Sequence, residues 1–263
     1  MTAGRSLGQF YPVASSLHGL DPRAKILCTG ILAVGLFLVH SAAGLLLISA
    51  VVVLLVAASR IPPGAFVEFL RPVGLIVALT ALFQVFFSRE GETLLRWGFL
   101  EVHEGGVFTG LFLALRILVL VSTAALLTAT TAPVALADGL EDLLSPLGRL
   151  RFPAHELAMM MTIALRFIPT LHEEAQKITR AQAARGADFS EGGPLRRARA
   201  MLPVLVPLTI GAFRSADELA EAMESRGYRG GEGRTRYREL RFRARDALAL
   251  AAAALVVVAG ILI

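Results

Sequence analysis

The sequence predicts an all-α integral membrane protein: about five transmembrane helices plus a cytoplasmic domain of long amphipathic helices. Three observations carry this. Hydrophobic residues make up 55% of the 263 residues and the mean hydropathy is +0.65, too apolar for a soluble globule of this size. The apolar residues gather into five runs rich in Leu, Val and Ala, without the period-two alternation of a membrane β-barrel. Between the fourth and fifth runs lies a long polar stretch in which apolar residues recur with helical periodicity.

The elements follow in order. Gln9-Phe10-Tyr11-Pro12 interrupts any early apolar run, so no cleavable signal is expected and the N-terminus is expected to be retained. Asp21-Pro22 is a good helix start, and His18 and Asp21 are candidates to cap the first helix and to contact the coupling region. The runs 24–39, 42–58, 73–87, 107–128 and 247–263 approach the roughly 17 to 25 residues needed to cross a bilayer. Some are short, and the first two can form a tight hairpin turning at His40-Ser41. Cys28 lies alone inside the first run, which excludes an intrachain disulfide and a thiolate cluster. Arg116 and Gln84 sit inside runs, where snorkelling or an interhelical hydrogen bond explains them before a substrate path does.

Charge sets the expected orientation. Arg5, Arg23 and Lys25 precede the first run, Arg60 and Arg71 bracket the second connection, and most remaining arginines fall between the fourth and fifth runs. In the third connection Arg89 and Arg96 are offset by Glu90, Glu92, Glu101 and Glu104. The N-terminus and the stretch 132–245 are therefore expected on the cytoplasmic side. The pI of about 10.1 reflects this topology and attraction to anionic lipid headgroups. Nucleic-acid binding is disfavoured, because the basic residues flank spans without an aromatic stacking pattern.

The cytoplasmic stretch is the most specific part of the chain. Thr131-Ala132-Pro133 reads as a helix start with Thr131 as N-cap, followed by an acidic face of Asp138, Glu141 and Asp142 opposite Leu136, Leu140, Leu143, Leu144 and Leu147. Pro146 and Pro153 break this helix. A second apolar stripe runs from His155 through Leu157, Met160, Met161, Leu165, Ile168, Leu171 and Ile178 to Arg185-Gly186, with Pro169 as a possible kink. Met159-Met160-Met161 reads as a pliable packing surface rather than a metal site. After the loop 186–193, a third pattern begins near Pro194, carries Arg196, Arg197 and Arg199, is interrupted by Pro203 and Pro207, and finishes at Arg226-Gly227. The basic stretch 229–245 reads as a return to the membrane.

The two long helices thus finish alike. Glycine is the natural residue past a helix end, and the arginine before it lies where the helix dipole favours a cation. That explains one Arg-Gly pair as an ordinary stop. Two such pairs, each preceded by small residues, make Ala184, Arg185, Gly186 and Ser225, Arg226, Gly227 candidate docking residues. An exposed arginine can present a forked, charge-assisted contact to a partner's carboxylate.

These segments carry a family resemblance. Ser16-Leu17-His18-Gly19-Leu20-Asp21-Pro22-Arg23-Ala24-Lys25, Thr130-Thr131-Ala132-Pro133, Leu165-Arg166-Phe167-Ile168-Pro169, Ala181-Gln182-Ala183-Ala184-Arg185-Gly186 and Ala216-Asp217-Glu218-Leu219-Ala220-Glu221-Ala222-Met223-Glu224-Ser225-Arg226-Gly227-Tyr228, in this order, resemble the transmembrane T component of energy-coupling factor (ECF) transporters. These are ABC-type importers of vitamins and of cobalt or nickel in prokaryotic cell membranes. The resemblance implies a membrane domain 1–131, a coupling-helix domain 132–245 and a last transmembrane helix 246–263. It implies that Ala184, Arg185, Gly186 and Ser225, Arg226, Gly227 end helices that dock on two ABC ATPase subunits, serine standing in the alanine position of the second motif. It implies a further partner, a substrate-binding membrane subunit that selects the cargo, on the apolar faces of 134–147 and 157–168. No cofactor is implied beyond the ATP held by the partners. The sequence agrees in lacking a Gly-x-x-x-x-Gly-Lys-Ser/Thr loop, which argues against ATP hydrolysis by this chain.

Two other classes share parts of the pattern. An ordinary ABC importer permease also uses a cytoplasmic Glu-Ala helix, and Glu174-Ala175 fits, but one coupling loop leaves the second Arg-Gly end unexplained. A membrane metalloprotease would pair Glu173-Glu174 with His155 and His172, but the expected Glu-Glu-x-x-x-Arg spacing meets Ile178 instead. Glutamates on a charged helical face are read as solvated.

Overall fold

A computed structural model of the chain describes residues 10–88, 91–97, 100–146, 154–187, 189, 193–228, 230 and 240–263. The elements run α1 (Pro22–Leu38), α2 (Ala42–Ser59), α3 (Pro63–Phe87), β1 (Thr93–Trp97), β2 (Leu100–His103), α4 (Glu104–Thr130), α5 (Pro133–Leu144), α6 (Ala154–Ala184), α7 (Pro194–Ala200), α8 (Leu202–Ser225) and α9 (Ala244–Leu262). They divide into two compact units, 1–143 with 239–263 and 144–238.

In the first unit, local chemistry sets the helix ends. The Asp21 carboxylate accepts the Arg23 backbone N–H at 2.9 Å and caps α1, as its place before Pro22 predicts. The turn at His40-Ser41 forms as expected, with the Ser41 hydroxyl accepting from the Gly44 N–H at 3.1 Å. α3 begins at Pro63 rather than at 73, and so takes Arg71 out of the connection and into an exposed helical position. Pro72 is carried inside this helix without ending it. The third connection forms a short antiparallel hairpin that apolar-run counting does not reveal.

Four of the described helices, α2, α3, α4 and α9, are long and apolar enough to cross a membrane. α1 has 17 residues, about 26 Å at ~1.5 Å per residue, and needs a thinned bilayer or its polar flanks at the interface to reach across. The core gathers Leu32, Leu36 and Val39 of α1, Leu45, Ile48 and Val52 of α2, Val119 of α4, and Ala253 and Val257 of α9. α1 and α2 each pack on both α4 and α9, while α3 is held mainly by α4. Small residues permit the closest approaches. A Cβ on Gly44 would lie 2.1 Å from the Gly260 carbonyl oxygen, and one on Gly35 2.4 Å from Val257 Cγ2.

Arg116 is used structurally. It donates to the Val39 carbonyl at the end of α1 and lies over the Phe112 ring, 4.7 Å from its centroid. Gln84 belongs to the α3–α4 seam, its backbone carbonyl facing Gly106.

α5 departs from its expected pattern. The Ala132 carbonyl accepts the Leu136 N–H at 3.0 Å, so Ala132 occupies the cap position, and the Thr131 hydroxyl instead accepts from Lys25 at 3.2 Å. Asp142 of the acidic face turns inward to pair with Arg23 of α1, and Val134 and Leu140 are exposed. Burial of Ala137 and Gly139 lets α5 approach α1 closely; a Cβ on Gly139 would stand 3.0 Å from Pro22 Cβ.

In the second unit α6 packs against α8. Pro169 and Pro207 lie inside these helices without ending them. The apolar stripe of α6 is exposed at Met160, Met161 and Ile168 and half-buried at Leu171, Ala175 and Ile178.

Candidate docking site

α6 and α8 stop by the same hydrogen-bond arrangement. After α6 the Gly186 N–H donates to the Ala183 carbonyl and the Ala187 N–H to the Gln182 carbonyl, both at 3.0 Å. After α8 the Gly227 N–H donates to the Glu224 carbonyl at 2.9 Å and the Tyr228 N–H to the Met223 carbonyl at 3.0 Å. Each is a complete Schellman stop, and each glycine is left-handed, with φ of 89° at Gly186 and 75° at Gly227. A Cβ at either glycine would meet nothing within 4 Å. The requirement for glycine is therefore conformational.

This cap places Arg185 and Arg226 at equivalent positions. Ala184, Arg185, Gly186, Ser225, Arg226 and Gly227 are all exposed. Among the described residues, neither arginine side chain has a hydrogen-bond or ion-pair partner. The Ser225 hydroxyl donates to the Ala222 carbonyl at 3.0 Å, which folds its polar atom back onto the helix and leaves an alanine-like surface. Different residues upstream thus yield one repeated shape: a rounded glycine stop with a free guanidinium fork.

The two ends lie far apart within their unit. The Gln182 amide reaches the Pro203 carbonyl at 3.4 Å, so the Arg185 end lies beside the start of α8. Arg226 closes the other end of that helix, roughly 33 Å away at ~1.5 Å per residue.

A second polar constellation, in the first unit, goes beyond the sequence reading. Lys25, 8% exposed, donates to the His18 carbonyl at 3.3 Å, the Thr130 carbonyl at 2.9 Å and the Thr131 hydroxyl at 3.2 Å. Asp246, 1% exposed, accepts the Asp21 N–H and the Arg243 N–H, both at 2.8 Å. One carboxylate thereby joins the starts of α1 and α9. Arg23 donates to the Leu240 carbonyl at 3.2 Å and pairs with Asp142, which adds α5.

His18 does not cap α1. Its Nδ1 meets the Ser15 hydroxyl at 2.7 Å and its Nε2 the Tyr11 carbonyl at 2.9 Å, which fixes the turn ahead of that helix. A carbonyl partner requires Nε2 to donate, leaving Nδ1 to accept. Burial holds the imidazole below its ordinary pKa, and the Lys25 ammonium acts in the same direction against the Tyr11 carbonyl. The signal for this constellation was present as charged residues at the edges of apolar runs; only folding brings residues 21 and 246 together.

The described members of the alternative catalytic set point to solvent. His172, Glu173 and Glu174 are exposed; His172 Nε2 meets the Gln176 amide at 2.9 Å and Glu174 lies 3.7 Å from Lys177. The side chain of His155 lies outside those described. No group of three metal-ligating residues occurs among the described residues.

A bundle of long apolar helices joined in one chain to an amphipathic unit with two like, exposed ends defines an all-α membrane protein with a second, amphipathic helical unit. Residues 13–237 match the cobalt transport protein family CbiQ. The chain is 47% identical over 243 residues to the energy-coupling factor transporter transmembrane protein EcfT of Ruminiclostridium cellulolyticum, covering 92% of this chain and 91% of that protein. It is 48% identical over 243 residues to the EcfT of Acidaminococcus fermentans, covering 92% and 90%, and 43% identical over 240 residues to that of Bacillus subtilis, covering 91% of each. The chain belongs to the CbiQ/EcfT family, the transmembrane T component of energy-coupling factor transporters. Membership in that family makes it a transport subunit.

Proposed function

We propose that this chain is the energy-coupling membrane subunit of an ECF-type importer. It transmits the ATP-driven motion of two ABC ATPase subunits to a separate substrate-binding membrane subunit for vitamin or metal-ion uptake. The observation that carries this reading is the repetition of one exposed, arginine-tipped Schellman stop at two ends roughly 33 Å apart. Two like shapes suit two like grooves, one in each ATPase. Arg185 and Arg226 supply the forked contacts, while Gly186 and Gly227 turn the backbone away so that the fork leads.

On this reading the N-terminus and the stretch 132–245 face the cytoplasm of a prokaryotic cell, where ATP is available, as the distribution of basic residues supports. Closure of the ATPases changes the separation of the two tips, and α6 and α8 carry that displacement. The substrate-binding subunit meets apolar surface left exposed by each unit: Val134 and Leu140 on α5, and Leu157, Met160, Met161 and Ile168 on α6.

The test is the purified partner set. A tagged chain co-expressed with its neighbouring genes is expected to retain two ATPase subunits and one substrate-binding membrane subunit, and to support ATP-dependent uptake in proteoliposomes. Recovery of two permease chains with two ATPases would instead identify an ordinary ABC importer.

A further inference from the structure

Packing in the first unit leaves a cavity of about 180 Å³, lined from α1, α2, α4 and α9 and from the segment ahead of α1. Its walls are chiefly apolar, with Cys28, Leu127, Ala252 and Val256 among them. Three of the polar side chains that reach it, those of Lys25, Thr123 and Thr130, are already bonded, and Thr29 adds one further hydroxyl to the wall. Lys25 serves three oxygens, the Thr123 hydroxyl donates to the Val119 and Leu120 carbonyls, and the Thr130 hydroxyl to that of Leu126. A water molecule would find few of the partners it needs there, whereas apolar cavities of about 150 Å³ stay dry and accept hydrocarbon guests. Cys28, Leu127 and Val256 are half-buried and Ala252 is exposed, so the cavity opens sideways to the surface that membrane helices turn toward lipid.

Charge at its mouth narrows the choice of guest. Arg245, Ala249, Ala252 and Val256 follow one another at helical spacing, so one stripe of α9 carries a guanidinium at its entry and cavity wall beyond it. Arg245 is exposed and donates through Nη2 to the Gly19 carbonyl, which holds it beside the segment bearing the lining residues Leu17 and Leu20. A guanidinium has five N–H donors, so this bond leaves others to face outward. Arg241 and Arg243 are exposed in the same stretch. From Arg245 to Val256 the helix rises about 16 Å, close to the ~15 Å hydrocarbon depth of one leaflet.

We propose that this cavity and Arg245 form a binding site for one anionic phospholipid of the bilayer, its acyl chain entering the cavity and its phosphate held by the guanidinium. The test uses the full chain in phosphatidylcholine nanodiscs with a trace of phosphatidylglycerol bearing a diazirine at the end of one acyl chain, and maps the photo-adducts by peptide mass spectrometry. Adducts are expected to concentrate on the cavity wall, Cys28 and Leu127 included. Unlabelled phosphatidylglycerol should compete about ten-fold better than phosphatidylcholine, the scale of one charge-assisted contact. Arg245→Gln should erase that headgroup preference. Ala252→Phe, at the exposed mouth, should remove the cavity adducts and leave those on the exposed face of α3 unchanged. Adducts spread evenly over exposed helix faces, competition indifferent to headgroup, or cavity adducts that survive both substitutions would overturn the proposal.

Discussion

Arg185→Glu and Arg226→Glu, made singly and together, form a thermodynamic cycle whose outcome the structure specifies. Both side chains are exposed and, among the described residues, unpaired, so each change should alter fold stability by no more than about 1 kcal/mol, chiefly through the helix dipole. A glutamate at a helix C-terminus opposes the dipole by about 0.3–1 kcal/mol, and Arg→Gln at each position serves as the control. If each arginine makes one charge-assisted contact with an ATPase worth about 1–2 kcal/mol, each single change weakens the complex roughly 5- to 30-fold. The two ends lie roughly 33 Å apart, well beyond the ~7–10 Å over which substitutions usually couple, so the double variant should lose the sum of the two free energies. The assay is retention of ATPase subunits on the tagged chain through detergent purification, with equilibrium binding of the same proteins and a melting curve for the chain alone. Retention by the double variant at the wild-type ratio, with the melting curve unchanged, would refute the docking role. Strong non-additivity would refute the independence of the two ends.

Gly227→Ala should weaken docking by about 1–2 kcal/mol through left-handed strain, while Gly227→Asn, which tolerates that conformation, should restore most of it; paired binding titrations distinguish them. Asp246→Ala removes a buried acceptor from two backbone N–H groups and should cost about 2–4 kcal/mol, read as a lower melting temperature in detergent. Gly44→Ala would set its Cβ 2.1 Å from the Gly260 carbonyl oxygen and should destabilise by at least ~1–3 kcal/mol. Gly30→Ala, with nothing within 4 Å, should be neutral or stabilising by up to ~1 kcal/mol in the same melting assay. His18 titrates below its ordinary pKa in the fold, so the unfolded chain binds the proton more readily. Its contribution is complete above about pH 6.5 and is lost as pH falls through that value toward the folded pKa, a slope that His18→Gln should reduce in acid melting curves.

The membrane class, the helix boundaries at Asp21, Ser41 and Pro133, and the two Arg-Gly stops could be read from sequence because each depends on local chemistry. Hydrocarbon demands long apolar helices, an acidic or hydroxyl side chain caps the next turn, and glycine accepts the left-handed backbone past a helix end. The apolar-run reading starts α3 too late because Arg71 and Pro72 look like a boundary, yet the helix carries Pro72 in its interior, and an exposed arginine can snorkel. Thr131 was expected to cap α5 because its neighbours along the chain say so; Lys25, distant in sequence, takes the hydroxyl instead.

The sequence by itself determined that this is a multi-pass helical membrane protein, where its helices stop, and which two arginines stand beside left-handed glycines. Those properties follow from interactions within a few residues. Tertiary structure alone decided what each arginine does once placed: Arg116 bonds to the end of α1, Arg23 to α5, Arg245 to the segment ahead of α1 beside a cavity, and Arg185 and Arg226 to nothing else among the described residues. A guanidinium's role is set by the acceptors that folding brings within about 3 Å, and a linear pattern does not contain that distance.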